Sequence, residues 1–147
     1  MSEDYAELIT GLKLFKGYTL DGAKRILSAG EVLEPEPGAL LFKEGDAADA
    51  VYLVLEGKLQ VFVERKGGDV VLTDSGPSTI VGELAVLCGV PRSASVRVLE
   101  KSRILKWDAT TFRSLLSKDV FLSERIFRQS LRTLIEKEQS LISALTK

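Results

Sequence analysis

The central stretch, residues 31–107, is cut by turn residues into segments too short for ordinary helices and rich in strand formers. Val51-Tyr52-Leu53-Val54-Leu55 is a run of β-branched, aromatic and aliphatic residues. Leu59, Val61 and Val63 alternate with Gln60, Phe62 and Glu64, as in a strand with two different faces. Lys66-Gly67-Gly68-Asp69 carries the glycines of a tight hairpin turn. Residues 70–73, 93–99 and 103–107 supply further strands, while Pro35-Glu36-Pro37-Gly38 and Gly45-Asp46 read as turns. Many short strands joined by Gly-rich turns fold as a sandwich or a barrel.

Helical patterns flank this region. In residues 3–29, Leu8, Ile9, Leu12 and Leu14 are apolar, then Leu20, Ala23, Ile26 and Leu27 mark one helix face, with Gly30 as a stop. After residue 107 the pattern turns helical again. Asp108 suits an N-cap, because its carboxylate can accept a free backbone N–H. Trp107 and Phe112 stand at the two positions of a hydrophobic staple, which is the expected role of Trp107. Leu115 and Leu116 continue that helix. Asp119 then opens the longest one, expected to run to about Leu145.

The 147 residues fit a single domain, 1–147, with N-terminal helices at 1–30, a β region at 31–107 and C-terminal helices at 108–147. The net charge of −1 gives no general attraction to nucleic acid or anionic membrane. No apolar run is long enough for a bilayer, and Met1-Ser2-Glu3-Asp4 is no start for a signal peptide, so a cytoplasmic protein is expected. The single cysteine, Cys88, excludes an internal disulfide. It sits in the apolar run Val86-Leu87-Cys88 and is expected to be a buried small hydrophobe. With no histidine, Ser-His and Cys-His nucleophile pairs and the commonest metal ligand are missing. An enzyme, and a histidine-dependent metal cupin in particular, is disfavoured.

The chemistry concentrates in Val81-Gly82-Glu83-Leu84-Ala85-Val86-Leu87-Cys88-Gly89-Val90-Pro91-Arg92-Ser93-Ala94-Ser95-Val96. Gly82 permits close backbone approach, and residues 83–88 can form a short helix with free N–H groups at its start. Gly89 and Pro91 end it, and Arg92 enters a strand close by, where a guanidinium can pair two phosphate oxygens. A phosphate would repel the Glu83 carboxylate, which needs a donor such as a sugar hydroxyl. One acid, one arginine and a helix start describe a pocket for a sugar phosphate.

This segment resembles the phosphate-binding cassette of the cyclic-nucleotide-binding domain family, which includes catabolite activators, regulatory subunits of cAMP-dependent kinase and cyclic-nucleotide-gated channels. Gly38, Gly45-Asp46 and Gly57 resemble its turn glycines, and the helices after Trp107 its hinge and lid. The resemblance implies a mainly β fold, an eight-stranded, jelly-roll-like β-roll (a double-stranded β-helix) with flanking α-helices. It implies a ligand, cyclic AMP or alternatively cyclic GMP, bound within residues 82–95. Glu83 would take the ribose 2′-hydroxyl and Arg92 the cyclic phosphate. The backbone of Gly82, Leu84, Ala85 and Ala94 would assist, Ser93 would add a hydroxyl, and Leu72 would wall the base. In the family, alanine after the arginine goes with cyclic AMP and threonine with cyclic GMP. Ser93 is intermediate, and serine there occurs in cyclic-AMP-responsive activators, so cyclic AMP leads.

In the last helix, Phe127, Leu131, Leu134, Glu138, Leu141 and Leu145 follow the four-and-three spacing of a coiled-coil seam, with Arg125, Arg128 and Arg132 as a solvated stripe roughly opposite. The seam would pack on the chain's own roll as a lid, or pair with a second copy; a homodimer is the favoured reading. By the family resemblance Leu134, Lys137 and Glu138 would approach the base. The function expected is a sensor whose C-terminal helices respond to ligand. Two alternatives are the ligand-binding part of a catabolite-activator-type regulator lacking its DNA-binding domain, since the chain stops at Lys147, and a degenerate domain serving as a protein-interaction scaffold. No nucleic acid or membrane partner is expected within this chain.

Overall fold

The computed structural model describes residues 2–146. Two helices, α1 (Ser2–Thr10) and α2 (Leu20–Ser28), lead into eight strands with a short helix between the sixth and seventh, and two further helices follow. The strands are β1 (Glu31–Leu33), β2 (Leu40–Phe42), β3 (Ala50–Glu56), β4 (Leu59–Arg65), β5 (Gly68–Ser75), β6 (Ile80–Val81), β7 (Ser95–Val98) and β8 (Arg103–Asp108). The helices are α3 (Glu83–Cys88), α4 (Ala109–Lys118) and α5 (Val120–Thr146). The strands form two four-stranded antiparallel sheets, ordered β1-β8-β3-β6 and β2-β7-β4-β5. This is the β-roll expected, although the two sheets do not close into a barrel.

The continuous apolar run of β3 follows from burial on both faces. Ala50, Tyr52 and Val54 point between the sheets with Val61, Val63, Leu72, Val96 and Val98. Val51, Leu53 and Leu55 point the other way, against a helical layer that includes Ile9, Phe15, Ile26, Phe112, Leu122 and Ile126. A strand's period of two thus divides one hydrophobic run between two cores. Fully burying each valine, leucine, isoleucine or phenylalanine among them contributes roughly 1.5–3 kcal/mol.

The helix boundaries follow their caps. Asp108 accepts from the Thr111 amide at 2.8 Å, and this bond, the largest influence on it, holds its carboxyl below the usual carboxylate range. Trp107 and Phe112 lie 6.0 Å apart between ring centroids, and the Trp107 indole N–H donates to the Ile26 carbonyl. Asp119 caps α5 by accepting from the Leu122 amide at 3.0 Å. Its second oxygen accepts from the Tyr18 hydroxyl, which ties the start of α5 to the N-terminal helices.

Two expectations are corrected. Cys88 is exposed, because in a six-residue helix with Ala85 and Val86 turned inward, the position two residues on faces out. Arg125 is not merely solvated. Its Nη1 donates to the Leu14 carbonyl at 3.0 Å and binds α5 to the 3₁₀ turn Lys13–Phe15. Among the described residues no helix is long and apolar enough to cross a membrane.

Candidate functional site

The cassette is held by backbone geometry before any side chain acts. Gly82 has φ 83° and Gly89 φ 68°, so left-handed residues open and close α3, where glycine carries no Cβ penalty. The Gly45-Asp46 turn clips the far end: the Gly45 amide donates to the Arg92 carbonyl and the Arg92 amide to the Asp46 carbonyl, both at 2.8 Å. This brings Glu83 and Arg92 to one cleft from opposite ends of the cassette. The cleft also takes in Gly82, Leu84, Ala85, Ser93 and Ala94, with about 450 Å³ of unfilled space including its open mouth.

Arg92 is 3% exposed. Its Nη1 donates to the Gly82 carbonyl at 2.7 Å and its Nη2 to the Ala50 carbonyl at 2.6 Å, and the guanidinium lies 3.9 Å above the Phe42 ring. Burial pulls its pKa below the ordinary arginine value, while Tyr52, Asp49, Asp46 and Glu83 oppose this. Its Nε is buried and unpartnered. A buried donor left unsatisfied costs about 1–3 kcal/mol, and an anion in the cleft would offset that cost. Glu83 is 4% exposed and accepts from the Ser130 hydroxyl on α5. Lys137, partly buried and lining the cleft, has its pKa lowered by burial, with Glu83 acting against the shift.

The residues expected from the sequence divide into two groups. Gly82, Glu83, Leu84, Ala85, Arg92, Ser93, Ala94 and Lys137 meet at the cleft. Leu134 and Glu138 are exposed on the outer side of α5, and Leu72 is buried in the core between the sheets. Leu72 is the residue skipped in the β4–β5 pairing, between Val61↔Thr73 and Phe62↔Val71, and its carbonyl accepts from the Ser140 hydroxyl of α5. Phe42, Val61, Ser75, Thr133 and Ser130 were not foreseen: the first four line the cleft and Ser130 holds Glu83. Nothing local in the sequence marks them, since long-range pairing brings four separate elements to one place.

The arrangement defines a ligand-binding β-roll, with a buried acid and a buried arginine sharing a small cleft under a long helix. The cyclic nucleotide-binding domain model matches residues 32–119, more than half of the chain, and the chain belongs to that family. It is 31% identical over 133 residues to the cAMP-dependent protein kinase regulatory subunit of Blastocladiella emersonii, covering 90% of this chain and 32% of that protein. It is 30% identical over 116 residues to the lysophospholipase NTE1 of Chaetomium globosum, covering 76% of this chain and 8% of the enzyme. The crystal structure of the Thermus thermophilus catabolite activator protein superposes with a TM-score of 0.74 at 26% identity, covering 89% of this chain and 62% of that one. The chain thus spans a third or less of the first two relatives.

Proposed function

We propose that the protein is a sensor for a 3′,5′-cyclic nucleotide, with cyclic AMP preferred over cyclic GMP, and that it binds this ligand without transforming it. One observation carries the reading: Glu83 and Arg92, both buried, line one cleft, and the Arg92 Nε has no acceptor. A cyclic phosphate supplies the acceptor, and a ribose hydroxyl is the donor that suits Glu83. Serine rather than threonine at position 93, at the cleft, supports the preference for cyclic AMP. Ligand in the cleft would touch Thr133 and Lys137, so its binding shifts the position of α5, which acts as the lid. We read the chain as one such module in the cytoplasm.

The outer side of α5 supports a second part of the proposal, a homodimer. Three polar side chains of this helix turn towards the roll: Gln129 bonds the Ser78 carbonyl and the Ile80 amide, Ser130 bonds Glu83, and Ser140 bonds Leu72. Phe127, Leu131, Leu134, Leu141 and Leu145 face solvent, with Phe127 51% and Leu131 61% exposed. A helix that presents its apolar seam outward over this length suits a partner helix of the same kind.

Isothermal titration with both nucleotides tests the ligand. Saturable binding with cyclic AMP tighter, and a narrower gap in Ser93→Thr, is the expected result. A preference for cyclic GMP rejects the base assignment, and binding of neither rejects the sensor.

A further inference from the structure

Glu83 has two carboxylate oxygens, and the fold treats them differently. Oε2 accepts from the Ser130 hydroxyl, and both residues are almost wholly buried, Ser130 at 2% exposure. Oε1 accepts no hydrogen bond, yet it is not among the fully buried unpartnered atoms, so it keeps an opening. Glu83 lines the cleft. Among the described residues no lysine or arginine nitrogen comes within 4.0 Å of this carboxylate, so no ion pair orients it. Its rotamer is set by the serine.

We propose that Ser130 is a positioning residue that clamps one oxygen of Glu83 and presents the other to the ligand's sugar hydroxyl, so that a residue on α5 sets how strongly the site selects ligands carrying that hydroxyl. The proposal rests on the cyclic-nucleotide reading of the cleft.

The geometry of α5 fits this role. Gln129, one residue earlier, grips the loop before β6 at the Ser78 carbonyl (2.8 Å) and the start of β6 at the Ile80 amide (2.6 Å). Ser140, nearly three turns on, grips the bulged residue of β5. These bonds hold the helix at both ends of the stretch that crosses the cleft. Between them, Ser130–Glu83 is the only hydrogen bond, among the described residues, that joins α5 to residues 82–95. A carboxylate accepts several donors at once, so a serine on Oε2 and a sugar hydroxyl on Oε1 are compatible. A carboxylate freed of the serine has lost the partner that orients it, and a positioned acceptor contributes more than a rotating one.

The test compares cyclic AMP with 2′-deoxy cyclic AMP on the unmutated protein, Ser130→Ala and Ser130→Thr, with thermal melts to confirm folding. A hydrogen bond to a charged group corresponds to about ten-fold or more in affinity. Ser130→Ala should weaken cyclic AMP by about that factor, leave the deoxy ligand nearly unchanged, and so shrink the ratio between the two. Ser130→Thr keeps the hydroxyl and should restore the ratio. Equal losses for both ligands in Ser130→Ala would show that the serine only holds α5 in place, and tighter cyclic AMP binding would show that it competes with the ligand; either overturns the proposal. If the unmutated protein binds neither nucleotide, the sensor reading fails and this inference falls with it.

Discussion

The guanidinium of Arg92 lies directly over Gly82. Its Nη1 donates to the Gly82 carbonyl at 2.7 Å, and a Cβ built on Gly82 would fall 2.6 Å from that nitrogen and 3.2 Å from the Phe42 ring. The glycine is therefore demanded twice, by its φ of 83° and by the arginine above it. Gly82→Ala should cost about 1–2 kcal/mol from the left-handed backbone alone. It should also displace Arg92 and weaken nucleotide binding at least ten-fold. Denaturant melts and a titration read the two effects separately, and unchanged binding would show that the cassette tolerates a shifted arginine.

Arg92→Ala removes the proposed charged partner of the phosphate. Truncating one member of a buried charge pair costs about 2–5 kcal/mol, or roughly thirty-fold to several-thousand-fold in affinity. Arg92→Lys keeps the charge without the two-pronged geometry and should recover part of the loss. The location of Arg92 in a pocket suggests that folding would survive its removal untouched, but the structure gives it a second role. It satisfies the carbonyls of Gly82 and Ala50, joining the cassette to β3, so Arg92→Ala should also lower stability by about 1–3 kcal/mol. Equal melting curves for the two proteins would remove that role.

Tyr52, buried, and Tyr18, half-buried, make the fold sensitive to alkali. Burial, then the hydrogen bond to Asp119 and its charge, raise the Tyr18 pKa well above the ordinary 10.0, and burial raises that of Tyr52. Above pH 10 the unfolded chain loses these protons while the folded chain keeps them, so the folded state binds more protons and stability falls as pH rises. The stabilisation is complete below about pH 10 and is lost above it. Tyr18→Phe should flatten this decline and, by losing the bond to Asp119, cost about 1 kcal/mol at neutral pH. Chemical melts at pH 7 and pH 11 check both; an unchanged alkaline slope would show that Tyr18 plays no part.

The outward seam of α5 gives a simple test of assembly. Light scattering at micromolar concentration should find a dimer, and Leu131→Asp combined with Leu141→Asp should give a folded monomer, since charges on a paired apolar seam are left without partners. An unmutated protein that stays monomeric with nucleotide bound would end the dimer reading.

Much of this was legible along the chain because it is encoded locally. The strand breaks follow from Gly45, Gly57 and Gly68, the start of α4 from Asp108 with its Trp107–Phe112 pair, and the cassette from a contiguous run between Gly82 and Val96. Turn, cap and staple chemistry act over three or four residues, so a sequence displays them directly. The orientation of α5 was not legible. Its seam fits either a lid or a dimer, and the choice depends on polar side chains of α5 matched to Ser78, Ile80, Glu83 and Leu72, all distant in sequence. The exposure of Cys88, the Phe42 ring beneath Arg92 and the serine on Glu83 have the same cause. Each depends on which surfaces meet when two sheets and a helix pack, and hydrophobic periodicity tells that a face is buried without telling what it is buried against.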